Sequence, residues 1–257
     1  MSFSTIIFEK EDSIAFVRLN RPDAMNAYNV QMRDELFEVL GAVRDDREVR
    51  VLVFSGEGRA FCVGGDVTEF GTMPPPAFAR EIRWRRDLWG ALRGLPCATV
   101  AALHGYAVGS GLELALFCDL RIAADDLIVA VPEILLGMVP PAGGTQTVAR
   151  AAGRGVAHDL LLTARRLKAA EALRWRLVQR VVPRAELAAS ARALATKLAQ
   201  VDPLLMRVAK EALWASLDLP LGEGLALEWR CARRGMARRQ ARYCEFRHIT
   251  PPQARNP

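Results

Sequence analysis

The chain reads as an α/β fold with a parallel-sheet core and a helical C-terminal part, and three observations predict it. Apolar strand-like runs alternate with helical spacing as far as about residue 182, and from Arg184 onward the pattern is helical throughout. Near the middle, the buried-looking run Ala98-Thr-Val-Ala-Ala-Leu103 leads through Gly105 and Gly109-Ser-Gly111 into a stretch with helical apolar spacing. A strand, a glycine turn and a helix start, in that order, are what a parallel sheet with helical connections repeats.

Taken in order, Ser13–Asn20 alternates as a strand, and Pro22 in the turn-rich loop Arg21–Ala27 stops it. Asn29 suits the N-cap of a helix from Val30 to Asp45, with Met32, Leu36, Val39, Leu40 and Val43 on one face. Val49–Phe54 is a second, mostly buried strand, followed by a turn at 55–58 and by Gly64-Gly65. The prolines at 74–76 break the chain, and a helix is expected from Ala77 to Arg93. Gly143-Gly144 opens another helix, the glycines at 153 and 155 interrupt it, and Lys168–Leu173 is helical. Leu177–Val182 is a short strand that Pro183 ends. Asp202-Pro203 and Pro220 divide the terminal helices.

With 257 residues, 51% hydrophobic content and a mean hydropathy of +0.08, the chain has enough apolar material for a full core. The first twelve residues lack a basic stretch followed by an apolar one, so no secretory signal is expected. His104, the glycines and Glu113 interrupt the most apolar segment, 95–118, which therefore suits a buried core better than a membrane span. Five cysteines without CxxC spacing point to free thiols and a cytoplasmic setting. Three scattered histidines argue against a zinc site. The net charge of +6 and the pI near 9.4 suit an anionic partner, either a phosphate-bearing small molecule or nucleic acid.

The chemistry-bearing residues cluster around the glycine turns. A helix start after Gly109–Gly111 presents free backbone N–H groups and the positive end of a dipole, and Glu113 lies in its first turn. Gly64-Gly65 is a second place where backbone can approach a ligand closely, and Glu133 follows Pro132 further on. The competing structural reading pairs Glu113 with an arginine and has Glu133 cap a helix after Pro132.

On these residues the chain resembles the crotonase superfamily, and enoyl-CoA hydratases in particular. The matching stretches are Leu19–Ala27, Arg59–Asp66, His104–Ala115, Cys118–Ala123, Pro132–Gly137, Ala142–Gln146 and Ala169–Leu173, within a resemblance covering residues 5 to about 215. The resemblance implies a ββα spiral core, placed at 1–195, and a helical region at 196–257 that mediates trimers, often paired into hexamers. It implies an oxyanion hole from the backbone N–H groups of Gly65 and Ser110. It also implies Glu113 as the base that activates water and Glu133 as the donor to the α-carbon. Substrate and CoA contacts are implied near Ala24, Ala27, Val63 and Asp66, with Arg21 a candidate for a phosphate.

No cofactor is expected beyond the coenzyme A that the acyl-CoA substrate carries, and neither a membrane nor nucleic acid is expected as a partner. A single-carboxylate isomerase of the same fold, a specialised dehydratase, a silent acyl-CoA binder and an RNA binder using the arginine-rich 230–242 stretch are the alternatives. The chain departs from the family pattern at Ser110, where many relatives have glycine, at Pro140-Pro141, where Pro-Gly is usual, and after residue 229.

Overall fold

The computed structural model describes residues 3–70, 81 and 85–246, with 237–246 described by backbone alone. Residues 1–200 form one compact unit and 201–257 another. The boundary was expected at 195, but a helix spans Leu187–Ala199 and carries the first unit past that point.

In the first unit, a six-stranded sheet has the order β1-β2-β3-β4-β6-β9. Its strands are β1 (Ile6–Glu11), β2 (Ile14–Leu19), β3 (Val51–Gly56), β4 (Ala98–Leu103), β6 (Leu120–Ala124) and β9 (Arg180–Val182). β1 and β2 form an antiparallel hairpin with Ile6 opposite Leu19, and all later pairings in this sheet are parallel. A second, three-stranded sheet contains β5 (Tyr106–Val108), β7 (Ile128–Ala130) and β8 (Leu167–Lys168).

The chain thus visits the large sheet, then the small one, then a helix. β4 and β5 lead into a helix at Ser110–Phe117, and β6 and β7 lead into a 3-10 turn at Glu133–Leu136. This ββα path repeats in the backbone, not as a repeated sequence.

Helix α1 (Val30–Asp45) forms where its caps and apolar face predict. The Asn29 side chain accepts from Met32 N–H, and Met32, Leu36, Val39, Leu40 and Val43 are buried. Burial contributes roughly 1.5–3 kcal/mol for each large apolar side chain, and the cap about 1 kcal/mol. The helix expected over 77–93 is not continuous. A turn at Arg86-Asp87 interrupts it, and the Asp87 carboxylate caps a short helix α2 (Leu88–Arg93) by accepting from Gly90 N–H at 3.0 Å. The proline break and most of the preceding stretch, residues 71–80 and 82–84, lie outside the described residues.

The next helices are α3 (Ser110–Phe117), α4 (Gly144–Ala152), α5 (Arg154–Thr163), α6 (Ala169–Arg174) and α7 (Leu187–Ala199). Gly153, at φ +84°, separates α4 from α5. Cys62, Cys97, Cys118 and Cys231 are buried and form no disulfide.

The second unit pairs helix α8 (Pro203–Ala215) with helix α9 (Leu221–Phe246). Asp202 caps α8 through Leu204 and Leu205 N–H, and Arg234 pairs with Glu211 at 2.7 Å. Leu213, Leu221, Leu225 and Trp229 are exposed in this unit. No helix among the described residues is long and apolar enough to cross a membrane.

Candidate active site

Two glycine turns meet at the edge of the small sheet. Gly109 holds φ +50° and ψ −122°, a conformation that side chains oppose, and starts α3 from the end of β5. Its N–H donates to Ala130 O at 2.9 Å, which ties the helix start to the end of β7. Gly64, at φ +105°, packs against this turn, and a Cβ placed on it would lie 3.2 Å from Val108 O. The turn at 64–66 is also anchored to Tyr28, whose N–H donates to Gly64 O while its carbonyl accepts from Asp66 N–H, both at 2.8 Å. Between these bonds the Gly65 N–H donates to nothing among the described residues, and neither does the Ser110 N–H at the first position of α3. Two free backbone donors therefore stand on adjacent turns, with the helix dipole adding positive potential at one of them.

Glu113 occupies the first turn of α3 and is 0% exposed. Its Oε1 accepts from Gly144 N–H at 2.7 Å and from Ala142 N–H at 3.2 Å. Its Oε2 is buried without a hydrogen-bond partner. Burial pushes its carboxyl up to about 7, and the negative charge of Glu133 adds to the rise. The Gly144, Ala142 and Ser110 hydrogen bonds work against it.

Glu133 opens the 3-10 turn at 133–136 and is 7% exposed. Its Oε2 is likewise buried and unpartnered, and its Oε1 lies against Gly109, where a Cβ would come within 2.4 Å. Burial raises its carboxyl as well. No arginine among the described residues pairs with either carboxylate. The arrangement holds two buried carboxyls, both shifted upward and Glu113 to about 7, each with one unpartnered oxygen, beside two free N–H donors.

The aromatic rings of Tyr28, Trp89 and Phe117 form a wall on the α3 side. Trp89 stacks on Phe117 at 5.4 Å and lies 6.0 Å from Tyr28. Phe117 is one helical turn beyond Glu113 and touches the backbone at Gly143. Leu135 and Leu136 in the turn that Glu133 opens, and Val139 after it, are exposed apolar residues.

The structure brings Gly65, Ser110, Glu113 and Glu133 together. Loop 24–27 is also drawn beside residues 63–66, with Val63 N–H donating to Met25 O at 3.3 Å. The remaining expected contacts are already engaged within the protein. The Ala27 carbonyl accepts from Arg21 Nη1, and the Ala24 carbonyl accepts from Ala27 N–H. Asp66 gives Oδ2 to Arg21 and Oδ1 to Thr68. Arg21 thus meets a carboxylate of its own chain, because an ion pair forms where the two loops touch.

Three features escaped the sequence reading. The Ala142 and Gly144 N–H groups that clamp Glu113 belong to a stretch read only as a helix opening, although a helix start is itself a set of free donors. Asn26 is buried with φ +58° and joins loop 21–27 to Glu57 O and Ala60 O. The Arg21–Asp66 pair is the third. An Asp-x-Thr spacing, which favours a local side-chain turn, was the signal for Asp66.

Among the described residues, no group of three or more His, Cys, Asp or Glu side chains is placed to hold a metal ion.

Comparison with known proteins agrees with this geometry. The enoyl-CoA hydratase/isomerase family matches residues 9–245. A probable enoyl-CoA hydratase of Mycobacterium tuberculosis is 39% identical over 231 residues, covering 90% of this chain and 89% of that protein. A short-chain-enoyl-CoA hydratase of Clostridium acetobutylicum is 34% identical over 229 residues, covering 89% of this chain and 88% of that protein. The crystal structure of an enoyl-CoA hydratase from Bacillus anthracis superposes with a TM-score of 0.88 at 31% identity, covering 97% of this chain and 98% of that one. With the spiral core, the paired glycine turns and a family match along most of its length, the chain belongs to the enoyl-CoA hydratase/isomerase family.

Proposed function

We propose that the protein is an enoyl-CoA hydratase, adding water reversibly and syn across the 2,3 double bond of an enoyl-CoA thioester. One observation carries this reading: two buried carboxyls, each with an unpartnered oxygen, stand beside two free backbone donors. An isomerase needs one group to move a proton, whereas hydration needs one to activate water and one to protonate carbon.

In the proposed reaction the thioester oxygen accepts hydrogen bonds from Gly65 and Ser110 N–H. Glu113, ionised, takes a proton from water on Oε2 as the water oxygen bonds to the β-carbon. The π electrons move onto the thioester as an enolate, which the two N–H groups stabilise, each donor accounting for about 10²–10³ in rate. Glu133, protonated, then delivers its proton to the α-carbon. The proton on Glu113 returns to Glu133 through the next water, and both carboxyls are restored.

Two backbone N–H groups of a neighbouring segment hold Glu113, whereas the backbone donor to Glu133 is its own N–H, which supports this division of roles. These steps call on no cofactor beyond the substrate's own coenzyme A. The CoA moiety is assigned to the surface made by loop 24–27 and residues 63–66. Self-association as a trimer or a pair of trimers belongs to the same reading, supported by the exposed Leu213, Leu221, Leu225 and Trp229 of the second unit.

The test is loss of enoyl-thioester absorbance across straight-chain and cyclic enoyl-CoAs. Hydration of any member supports the reading, and the fastest defines the acyl pocket. Binding of acyl-CoA with no hydration across the panel overturns it.

A further inference from the structure

The turn that presents Gly65 is braced by side chains as well as by backbone. Tyr28 fixes Gly64 O and Asp66 N–H on either side of the Gly65 peptide. Beyond it, the Asp66 carboxylate is divided between two partners. Oδ1 accepts from Thr68 N–H at 3.1 Å and Thr68 Oγ1 at 2.7 Å, and Oδ2 accepts from Arg21 Nη1 at 2.8 Å. The same Arg21 nitrogen donates to Ala27 O at 2.6 Å. Arg21 is itself seated, since its N–H donates to Asn26 Oδ1 at 2.8 Å while Asn26 Nδ2 holds Glu57 O and Ala60 O. Asn26 is 0% exposed and Asp66 9%. One guanidinium therefore joins the loop after β2 to the residue that follows Gly65.

We infer that Arg21 is a positioning residue for the oxyanion hole: through Asp66 it fixes the orientation of the Gly65 N–H. The inference rests on the hydratase reading, because it gives that N–H the thioester oxygen to hold. A Gly-Gly turn has wide backbone freedom, and a donor stabilises an enolate only if it already points at the developing charge. Tyr28 fixes where the turn lies. The Arg21–Asp66 pair removes the remaining rotation from one residue away, and the charge on both partners makes each bond stronger than a neutral one.

The side chain of Arg21 is 24% exposed and lies beside Ala24 and Ala27, so a contact to a CoA phosphate is the rival role. The two roles separate when the nucleotide is removed from the substrate. Hydration of an enoyl-CoA and of the matching enoyl-pantetheine thioester, which lacks the nucleotide phosphates, is measured for the wild type, Arg21→Met, Arg21→Lys and Asp66→Asn.

Arg21→Met is expected to lower kcat roughly 10- to 100-fold on both thioesters with little change in KM. Arg21→Lys recovers part of the loss. Asp66→Asn reproduces it, and the double variant Arg21→Met/Asp66→Asn is no worse than the weaker single, as expected for residues acting as one unit. The second readout does not depend on turnover. The carbonyl stretch of a ¹³C-labelled saturated acyl-CoA moves to lower wavenumber on binding the wild type, and Arg21→Met abolishes that shift at retained affinity.

A loss confined to the CoA thioester and carried in KM overturns the inference in favour of phosphate binding. An unshifted carbonyl in the wild type, or an undiminished shift in Arg21→Met, overturns it as well. A wild type that shifts the carbonyl yet hydrates nothing sinks the hydratase reading and leaves the positioning role standing. If Arg21→Met does not fold, Arg21→Lys and Asp66→Asn carry the comparison.

Discussion

Glu113 and Glu133 are both buried carboxyls with one oxygen unpartnered, yet the protein surrounds them differently. Glu113 sits on a regular helix, and two backbone N–H groups grip its other oxygen. Glu133 sits on a 3-10 turn, with its other oxygen pressed against the bare Cα of Gly109. Two N–H donors favour the charged form, and apolar burial favours the neutral one. Burial raises both carboxyls, Glu113 to about 7, and the two N–H donors at Glu113 oppose part of that rise. Environment divides the two roles, since the residue types are the same.

The sharpest break of the comparison is to neutralise each carboxyl in turn. Glu113→Gln and Glu133→Gln are each expected to lower kcat by about 10²–10⁴ while leaving acyl-CoA affinity largely unchanged. Near wild-type turnover in either variant would end the two-carboxyl mechanism. Glu113→Gln carries a second expectation, because the glutamine oxygen can take both clamp bonds. The folded-state pKa of Glu113 lies near 7, above its unfolded value of 4.5, so the wild type loses stability as pH rises between those values. Glu113→Gln escapes that loss. It should be more stable than the wild type at pH 8, by at most a few kcal/mol, and the gap should close near pH 4.5. Thermal melts at several pH values read this directly.

The glycines around the carboxyls test the same contrast more gently. At Gly109 an added methyl meets an unfavourable φ and stands 2.4 Å from Glu133 Oε1. Gly109→Ala should lower kcat by about 10²-fold and destabilise the fold by about 1–3 kcal/mol. At Gly144 the methyl would stand 2.9 Å from Glu113 Oε1, without the strained φ. Gly144→Ala should displace the clamp, lower kcat roughly 10-fold and move the acid limb of the rate profile to higher pH. Similar losses and identical pH profiles in the two variants would remove the asymmetry.

Much of this was legible in the sequence, and the parts that were not have physical reasons. Gly64-Gly65, Gly109–Gly111, Glu113 and Glu133 stand out because side chains or their absence carry the signal. The Asn29 cap and the α1 face were legible for the same reason. β1 was missed because Ile6-Ile-Phe-Glu-Lys-Glu11 does not alternate, and its hairpin turns on Asp12 at φ +52° instead of on a glycine. β6 was missed because Arg121 interrupts it. That arginine is buried, and it spends its donors on the carbonyls of Leu177 and Cys118, both at 2.7 Å. The clamp on Glu113 was illegible for a different reason. Backbone N–H groups carry no residue identity, so their aim depends on the path of residues 140–144 and not on their letters.

The smallest expected effect isolates Ser110. Its backbone N–H is assigned to the oxyanion hole, while its hydroxyl faces Glu113 and lowers that carboxyl's pKa. Ser110→Gly keeps the first contribution and deletes the second. The rate profile is expected to show an acid limb near pH 7, where the base must ionise. Removing the hydroxyl should move that limb upward, leaving plateau kcat within about twofold and lowering the rate at pH 6 by a further factor of roughly two. A large plateau loss would mean that the hydroxyl itself contacts the reacting atoms. An unmoved limb would mean that the two backbone donors alone keep Glu113 ionisable, and would place the whole asymmetry between the carboxyls on the clamp.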